Sequence, residues 1–451
     1  MNEVRQARKD DHLQVLRAAL GQGALRTAHR MVNALHPAEI AALLESLPPA
    51  QRELVWECVD PDLEGDVLVE LSDSVRASLI RGMDAEELVA AVGGMDVDDL
   101  ADLVADLPEA VTQQVLRSMD QRDQERLRTV LSYPEDSAGG VMNTDTVSVR
   151  PDVTVEVVLR YLRMRGELPE RTDGLFVVDR NDRYLGMVPL TRLLTESPDR
   201  LVGEILEPEA PRIDPNTPAH EVAQLFEDLD LVSAAVVGPD GRLLGRITVD
   251  DVVDVIREEA DRSVLSMAGL QDAEDVFAGV LPSVRRRLPW LAVSLAAAFA
   301  SGSVVHSFEG TIQAAAILAA FMPIVASMGG IAGTQTVTLI IRGLALGQIQ
   351  RDNVRWLLLK EIGVGALNGL VWALVICAVT VAWLGTWRLA AVAAAAMLVN
   401  LLAATGIGVV IPLALRRMRV DPALGAGVLL TTCTDIIGFA SLLGIATLVL
   451  I

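Results

Sequence analysis

The sequence contains few cysteines, histidines and aromatic residues, and its first 280 residues include no long hydrophobic run. Three cysteines and five scattered histidines show no ligand spacing, which argues against a disulfide framework or a zinc site. The charged N-terminus, MNEVRQARKDDH, has no apolar core, so we expect no cleavable signal peptide. There is also no nucleophile–base pair, phosphate loop or metal-hydrolase motif, and we expect a protein that is not an enzyme.

Charge divides the chain into two halves of different character. Residues 1–280 carry 27 basic and 55 acidic residues, a net charge of −28, whereas residues 281–451 carry 11 and 5, a net charge of +6. This division excludes a single globular domain, and the acidic half excludes a nucleic-acid-binding protein. Because the acidic half has no disulfide pattern, we expect it in a reducing cytoplasm.

Long apolar runs begin at Leu288, and each is long enough to cross about 30 Å of hydrocarbon. The sequence predicts five membrane spans, the second of them long and broken: 288–308, 312–341, 356–384, 389–413 and 424–450. Ten basic residues lie on one side of these spans, and only Arg388 lies on the other. This bias places the acidic half in the cytoplasm and the C-terminus outside.

The acidic half itself has two textures. Residues 1–137 read as short amphipathic helices with acidic starts, a pattern typical of an α-helical superhelix. After Ala138, two β-α-β-β-α units follow about 60 residues apart, with strands at 175–179 and 234–238. The two units resemble a pair of CBS domains, and GRLLGRITVDDVVDV (241–255) matches the end of such a unit.

Two features of the apolar half point to a cation. Asp435 lies about 13 residues into the last span, where an ionised carboxylate is costly unless it faces water or a cation. Thr431, Thr432 and Thr434 could line a hydrated path, and the alternative is a protonated Asp435 bonded across a helix interface. The second span contains PIVASMGGIAGTQ (323–335), whose glycines predict either unwound backbone with free carbonyls or close helix packing.

Four strings together resemble the MgtE family of magnesium channels and transporters: YPEDSAGGVM (133–142), ITVDDVVDVIREEA (247–260), GGIAGTQTVTLIIRGLA (329–345) and LRRMRVDPALGAGVLLTTCTDIIG (415–438). The resemblance implies a homodimer in the bacterial inner membrane, in contact with lipid and divalent cations, that imports Mg²⁺ through a pore between two membrane domains. Asp435 matches the pore carboxylate of the family. The implied domains are the N-terminal helical domain (1–137), CBS domain 1 (138–200), CBS domain 2 (201–262), a linker or plug helix (263–287) and a five-span pore domain (288–451).

The resemblance also implies regulatory Mg²⁺ sites. By spacing alone, four acidic residues of one helix share a stripe about 80° wide: Asp251, Asp254, Glu258 and Asp261. Asp98, Asp102, Asp251, Asp254 and Glu259 match regulatory positions of the family, and Asp421 is a further candidate near the last span. The alternative is a solvated acidic face balanced by Arg257 and Arg262. We expect Mg²⁺ bound on these faces to close the pore.

Several positions depart from the family pattern. Ile331 and Gly427 stand where many members have asparagine, which leaves a transporter of Co²⁺ or another divalent cation as one alternative. A second alternative is a membrane-tethered CBS sensor without transport. CBS clefts of the family can also hold ATP as a cofactor, but Leu231 occupies the place of the aromatic residue that stacks on adenine.

Overall fold

The fold is described here from a computed structural model. It describes residues 25–93, 95, 97–107, 109–169, 171–267, 269–270, 275–345, 347–350, 352–418 and 420–450, except for the side chains of Leu25, Val97, Asp98, Ala105, Asp106, Glu109, Ala110, Ser263 and Met267. These residues form two compact units, which divide near residue 260, with the described residues 275–278 belonging to the first unit.

The first unit begins with short helices, as the sequence predicts. Proline at the first helical position or a capping box starts several of them, as in His36 with Glu39 and Asp84 with Glu87. Their apolar residues recur at helical spacing and form one buried core. The helices are α1 Leu25–Val32, α2 Pro37–Glu45, α3 Pro49–Trp56, α4 Pro61–Val69, α5 Asp73–Ile80, α6 Ala85–Ala91, α7 Val97–Asp106, α8 Glu109–Ser118 and α9 Gln121–Val130.

Two α/β units with the same topology follow. In each, a two-residue strand pairs in parallel with a central strand, which pairs antiparallel with a third, and the hairpins carry register shifts at Val177/Val178 and Val236/Val237. The predicted tandem repeat is therefore confirmed, and the first strand of each β-α-β-β-α unit, whose position was not predicted, is two residues long. The elements are β1 Ser148–Val149, α10 Val155–Arg165, β2 Gly174–Val178, β3 Tyr184–Pro189, α11 Leu190–Thr195, α12 Val202–Ile205, β4 Arg212–Ile213, α13 Ala219–Leu229, β5 Ser233–Val237 and β6 Leu243–Thr248.

A single helix, α14, leaves the second α/β unit. It runs from Val249 to Met267, directly after β6, so the helix continues through the proposed boundary at residue 262. Of the described residues in the expected linker helix (263–287), 263–267 end α14 and those from Val280 onward begin the first membrane helix.

Within the described residues, five helices are long and apolar enough to span a membrane, as predicted. They are α15 Val280–Ser307, α17 Leu318–Ala345, α18 Val354–Leu384, α19 Trp387–Arg417 and α20 Pro422–Leu450, with the short helix α16 Glu309–Ala314 between the first two. The second span is interrupted between α16 and α17, before the glycines. Unwound backbone at 323–333 was the wrong expectation, because α17 continues through Pro323 and the glycines.

Candidate cation sites

Asp435 lies near the middle of α20 and is partly buried. The neighbouring hydroxyls of Thr431, Thr432 and Thr434 each donate to a backbone carbonyl of the same helix at 2.7–3.0 Å, so they do not donate to the carboxylate. Across the described residues, no hydrogen bond or ion pair of Asp435 is observed. A mid-span carboxylate in this position needs water or a cation.

The glycines of α17 serve close packing between membrane helices. A Cβ added at Gly329 would lie 2.2 Å from Nδ2 of Asn400 in α19, and one at Gly333 would lie 2.7 Å from Leu430 in α20. Neither position could accept a larger residue without a shift of its neighbour. Of the two predicted roles for these glycines, close packing is therefore the one that is observed.

A second acidic side chain lies in the membrane half and was not singled out from the sequence. Glu361 of α18 is buried, with its side chain 4% exposed, and it contacts Nζ of Lys360 at 2.5 Å. Thr336 of α17 donates its hydroxyl to the other carboxylate oxygen at 3.3 Å. Because Lys360 offsets its charge, Glu361 does not stand out in a count of charges. An acidic residue inside an apolar run is nevertheless a signal by which the sequence could have identified it.

The start of α14 holds the first two cytoplasmic candidates. The backbone N–H and the hydroxyl of Thr248 both donate to the carboxylate of Asp251, at 2.9 and 3.0 Å, which is half of a capping box. The neighbouring Asp250 forms an ion pair with Arg171 at 2.6 Å. Asp251 therefore has a structural role at the helix start, which a bound cation would have to share.

Loss of surrounding water changes the titration of both acids on this face. It raises the pKa of Asp251 to about 6, although the hydrogen bonds from Thr248 favour the ionised form. The same cause raises the pKa of Asp254 as well, against the opposing charge of Arg257. A cation bound between these carboxylates would stabilise their ionised forms.

Asp102 of α7 is the candidate in the N-terminal helices. Loss of surrounding water raises its pKa to about 7, although the side chain keeps an exposed surface and the charge of Arg76 acts in the opposite direction. The charges of Glu135 and Glu258 raise the pKa further. An acid of α14, Glu258, is thus near enough to Asp102 of α7 for its charge to affect the pKa of that carboxyl.

The remaining candidates are less informative. Glu258, Glu259 and Asp261 are exposed on α14, and the side chain of Asp98 lies outside the described residues. Asp421 accepts a hydrogen bond from the backbone N–H of Ala423 at 2.8 Å and so caps the start of α20. Among the residues that the structure describes, no three acidic, histidine or cysteine side chains form a group able to hold a metal ion.

The position of the missing adenine-stacking residue is also defined. Leu231 follows Asp230, which ends α13 in a left-handed conformation, and its side chain is partly buried against the core of the first unit. An aliphatic side chain committed to the core offers no aromatic face to a nucleotide. ATP binding stays a prediction of the family resemblance that this position does not support.

An ion pair not predicted from the sequence joins the N-terminal helices to a distant segment. Arg52 of α3 is buried, and its guanidinium contacts the carboxylate of Asp275 at 2.8 Å. The same guanidinium donates to the carbonyl oxygens of Leu44 and Leu47, at 3.0 and 3.1 Å. Asp275 precedes the first membrane helix by only five residues of sequence.

Comparisons with known protein families match almost every region of this fold. The MgtE intracellular N domain matches residues 35–136, and the CBS domain matches 138–199 and 202–258. The family described as "Divalent cation transporter" matches residues 322–445, which hold α17 to α20. The tandem CBS pair and the helical N-terminal domain, both predicted from the sequence, are confirmed.

Two curated relatives are similar over nearly their whole length. The magnesium transporter MgtE of Thermus thermophilus is 31% identical over 440 residues, which cover 96% of this chain and 98% of the relative. The MgtE of Bacillus subtilis is 30% identical over 430 residues, with 95% of each chain covered. A similar solved structure is the crystal structure of the cytosolic domain of the Mg²⁺ channel MgtE in complex with ATP, which is 32% identical in sequence. The match covers 54% of this chain and 99% of that chain, with a TM-score of 0.49.

The two curated relatives are magnesium transporters, which agrees with the expectation that the chain is not an enzyme. The matched domains also agree with a membrane protein whose N-terminal domains are cytosolic. With identity of 30% or more over nearly the full length, the chain belongs to the MgtE family of magnesium transporters.

Proposed function

We propose that this chain imports Mg²⁺ through a pore between the membrane domains of two copies, with Asp435 as the carboxylate that the ion meets in mid-membrane. The observation that carries the proposal is the position of Asp435, partly buried within α20 with no hydrogen bond or ion pair to any described residue. Mg²⁺ gives up its water reluctantly, so one carboxylate from each copy could hold the ion through its hydration shell.

Apolar side chains that are exposed on the membrane helices leave a surface for lipid and for a second copy. Ile331 of α17 is 55% exposed and Leu429 of α20 is 46% exposed, and both helices belong to the packed bundle. Lipid covers such surfaces on the outside of a dimer, and the second copy covers them at the pore. The basic residues on one side of the spans favour a C-terminus outside the cell.

Regulation follows from the acidic faces of the first unit. We propose that cytosolic Mg²⁺ binds between Asp102 on α7 and the acids of α14, and that it holds these elements together in the closed state. At low Mg²⁺, mutual repulsion within an acidic half of net charge −28 separates them and the pore opens. The charge of Glu258 acting on Asp102 is the observation that favours this arrangement.

Ion flux into proteoliposomes tests the transport proposal. The full chain should carry Mg²⁺ when the inner face is kept at low Mg²⁺, and excess Co²⁺ or Mn²⁺ should compete only weakly. Strong competition would favour the Co²⁺ alternative, which rests on Ile331 and Gly427. Absence of any divalent flux at low Mg²⁺ would contradict transport and favour a membrane-tethered sensor.

Replacing Asp251 and Asp254 together by asparagine should weaken closure by internal Mg²⁺. We expect the Mg²⁺ concentration for half-inhibition to rise about tenfold, a typical coupling between two sites, because two ligands of the closed state are lost. Asparagine keeps a hydrogen-bond acceptor for Thr248, so α14 should remain capped. The control is Asp240→Asn in the β5–β6 turn, and an equal shift in that variant would contradict the prediction.

The internal pH should change the inhibition of flux by internal Mg²⁺. Because Asp102 and Asp251 have raised pKa values of about 7 and about 6, lowering the pH from 7.5 to 5.5 protonates both and removes the charge that binds Mg²⁺. We expect the inhibitory Mg²⁺ concentration to rise about tenfold or more. Inhibition that is independent of pH would contradict a role for these two acids.

Without Mg²⁺, the raised pKa of Asp102 makes the folded protein more stable at low pH than at high pH. Between pH 3.8 and about 7 the folded form binds more protons at Asp102 than the unfolded chain does, so stability falls as the pH rises through this range. Mg²⁺ should offset this loss. Its protection of the N-terminal helices against a protease should therefore be larger at pH 7.5 than at pH 5.5.

A further inference from the structure

Asn400 lies at the centre of the membrane bundle and has no exposed surface. Its side-chain Nδ2–H donates to the backbone carbonyl of Val325 in α17 at 2.7 Å. Its Oδ1 is buried and has no hydrogen-bond partner among the described residues. A buried amide with one unsatisfied acceptor is unfavourable in an apolar bundle, where an aliphatic residue of the same size would pack without that cost.

Two glycines leave room for this amide. An added Cβ would lie 2.2 Å from Nδ2 of Asn400 at Gly329 of α17, and 3.0 Å from the same atom at Gly438 of α20. Asn400 of α19 is therefore the point where three membrane helices meet. Gly438 follows Asp435 by three residues, less than one turn of the same helix.

We propose that Asn400 is a positioning residue for ion selection, which fixes the height and rotation of α20 against α17 and so the place of the Asp435 carboxylate in the pore. A single buried polar side chain is known to set the register between packed helices at some cost in stability. Here the donated hydrogen bond to Val325 fixes α19 on α17, and the absence of a Cβ at Gly438 lets α20 pack closely against the amide on α19. The inference rests on the proposed role of Asp435.

The test uses the full chain in proteoliposomes and the variant Asn400→Leu, which keeps the branching of the side chain and removes both the hydrogen-bond donor and the acceptor. We expect the apparent KM for Mg²⁺ to rise and the ratio of Mg²⁺ to Co²⁺ flux to fall about fivefold, with an unchanged amount of folded protein, since coupling through one contact is of this order. If Asn400 served packing alone, flux of both ions would fall by the same factor and their ratio would stay constant. That result would overturn the proposal.

A second pair of variants covers failure of Asn400→Leu to fold. Gly329→Ala should clash with the amide and lose folded protein, and adding Asn400→Ala should restore the space and the protein but not the Mg²⁺ to Co²⁺ ratio. Recovery of the wild-type ratio in the double variant would overturn the proposal. The control is Gly406→Ala on α19, where no atom lies within 4 Å of an added Cβ.

The two proposals fail in different ways. If Asp435→Asn retains wild-type Mg²⁺ flux, the pore assignment is wrong. If Asp435→Asn abolishes flux while Asn400→Leu keeps the wild-type ratio and KM, only the positioning role is wrong.

Discussion

Replacing Asp435 by asparagine should reduce Mg²⁺ flux by about 100-fold or more at equal amounts of folded protein. Asparagine has nearly the same shape, so the packing of α20 is kept and only the negative charge is removed. Loss of one charge-assisted contact from each copy to a divalent ion corresponds to about 3 kcal/mol, which is about two factors of ten in rate. The measurement is initial Mg²⁺ uptake into proteoliposomes with low internal Mg²⁺.

The matched control lies on the same helix. Asp421→Asn also removes one carboxylate, that of the residue before the first residue of α20, where asparagine is an equally good cap. Its maximal flux at low internal Mg²⁺ should stay within about twofold of the wild type, the range expected for a surface substitution. Equal losses in the two variants would show that net charge, rather than the mid-membrane position of Asp435, controls the flux.

Replacing Arg52 by methionine should detach the N-terminal helices from the segment that leads into the first membrane helix. The buried carboxylate of Asp275 and the carbonyl oxygens of Leu44 and Leu47 would lose their donor. Removing one partner of a buried ion pair costs about 3–5 kcal/mol. We therefore expect protease cleavage within α2 and α3 at Mg²⁺ concentrations that protect the wild type.

Two further variants distinguish the loss of this ion pair from a general loss of stability. Adding Asp275→Leu to Arg52→Met removes the second buried charge and should recover most of the protection, because an apolar pair can replace a buried ion pair. Arg180→Gln breaks an exposed ion pair with Asp152 and should cost less than about 1 kcal/mol. Full protection of Arg52→Met at the Mg²⁺ concentrations that protect the wild type would show that this ion pair does not hold the domain.

The sequence predicted most of the fold because its periodic patterns are local. Alternation and turn residues located the strands near 175 and 234, and the apolar runs located all five membrane helices within about eight residues at each end. What sequence could not decide was the use of the glycines near Gly329. The role of these glycines depends on Asn400, which packs against Gly329 from another helix. The residue pattern of α17 alone contains no information about that contact.

The candidate cation sites could be predicted from the sequence where a charged residue stands in an unusual position. Asp435 stood out because a lone carboxylate in an apolar run has few explanations. Arg52 and Asp275, by contrast, are separated by 223 residues, and each has an ordinary sequence context. The capping role of Asp251 was likewise hidden, since the acidic stripe of α14 accounts for the residue without reference to Thr248.

The direct junction of β6 and α14 has a mechanical consequence. Thr248 is the last residue of the strand and also the hydrogen-bonded start of a helix of 19 residues, about 28 Å long. No loop separates the two, so a rotation of the end of β6 in the second CBS sheet also tilts α14. A tilt of about 5° at Thr248 would move Ala260, twelve residues further along α14, by about 1.6 Å, so the displacement grows with distance from the sheet.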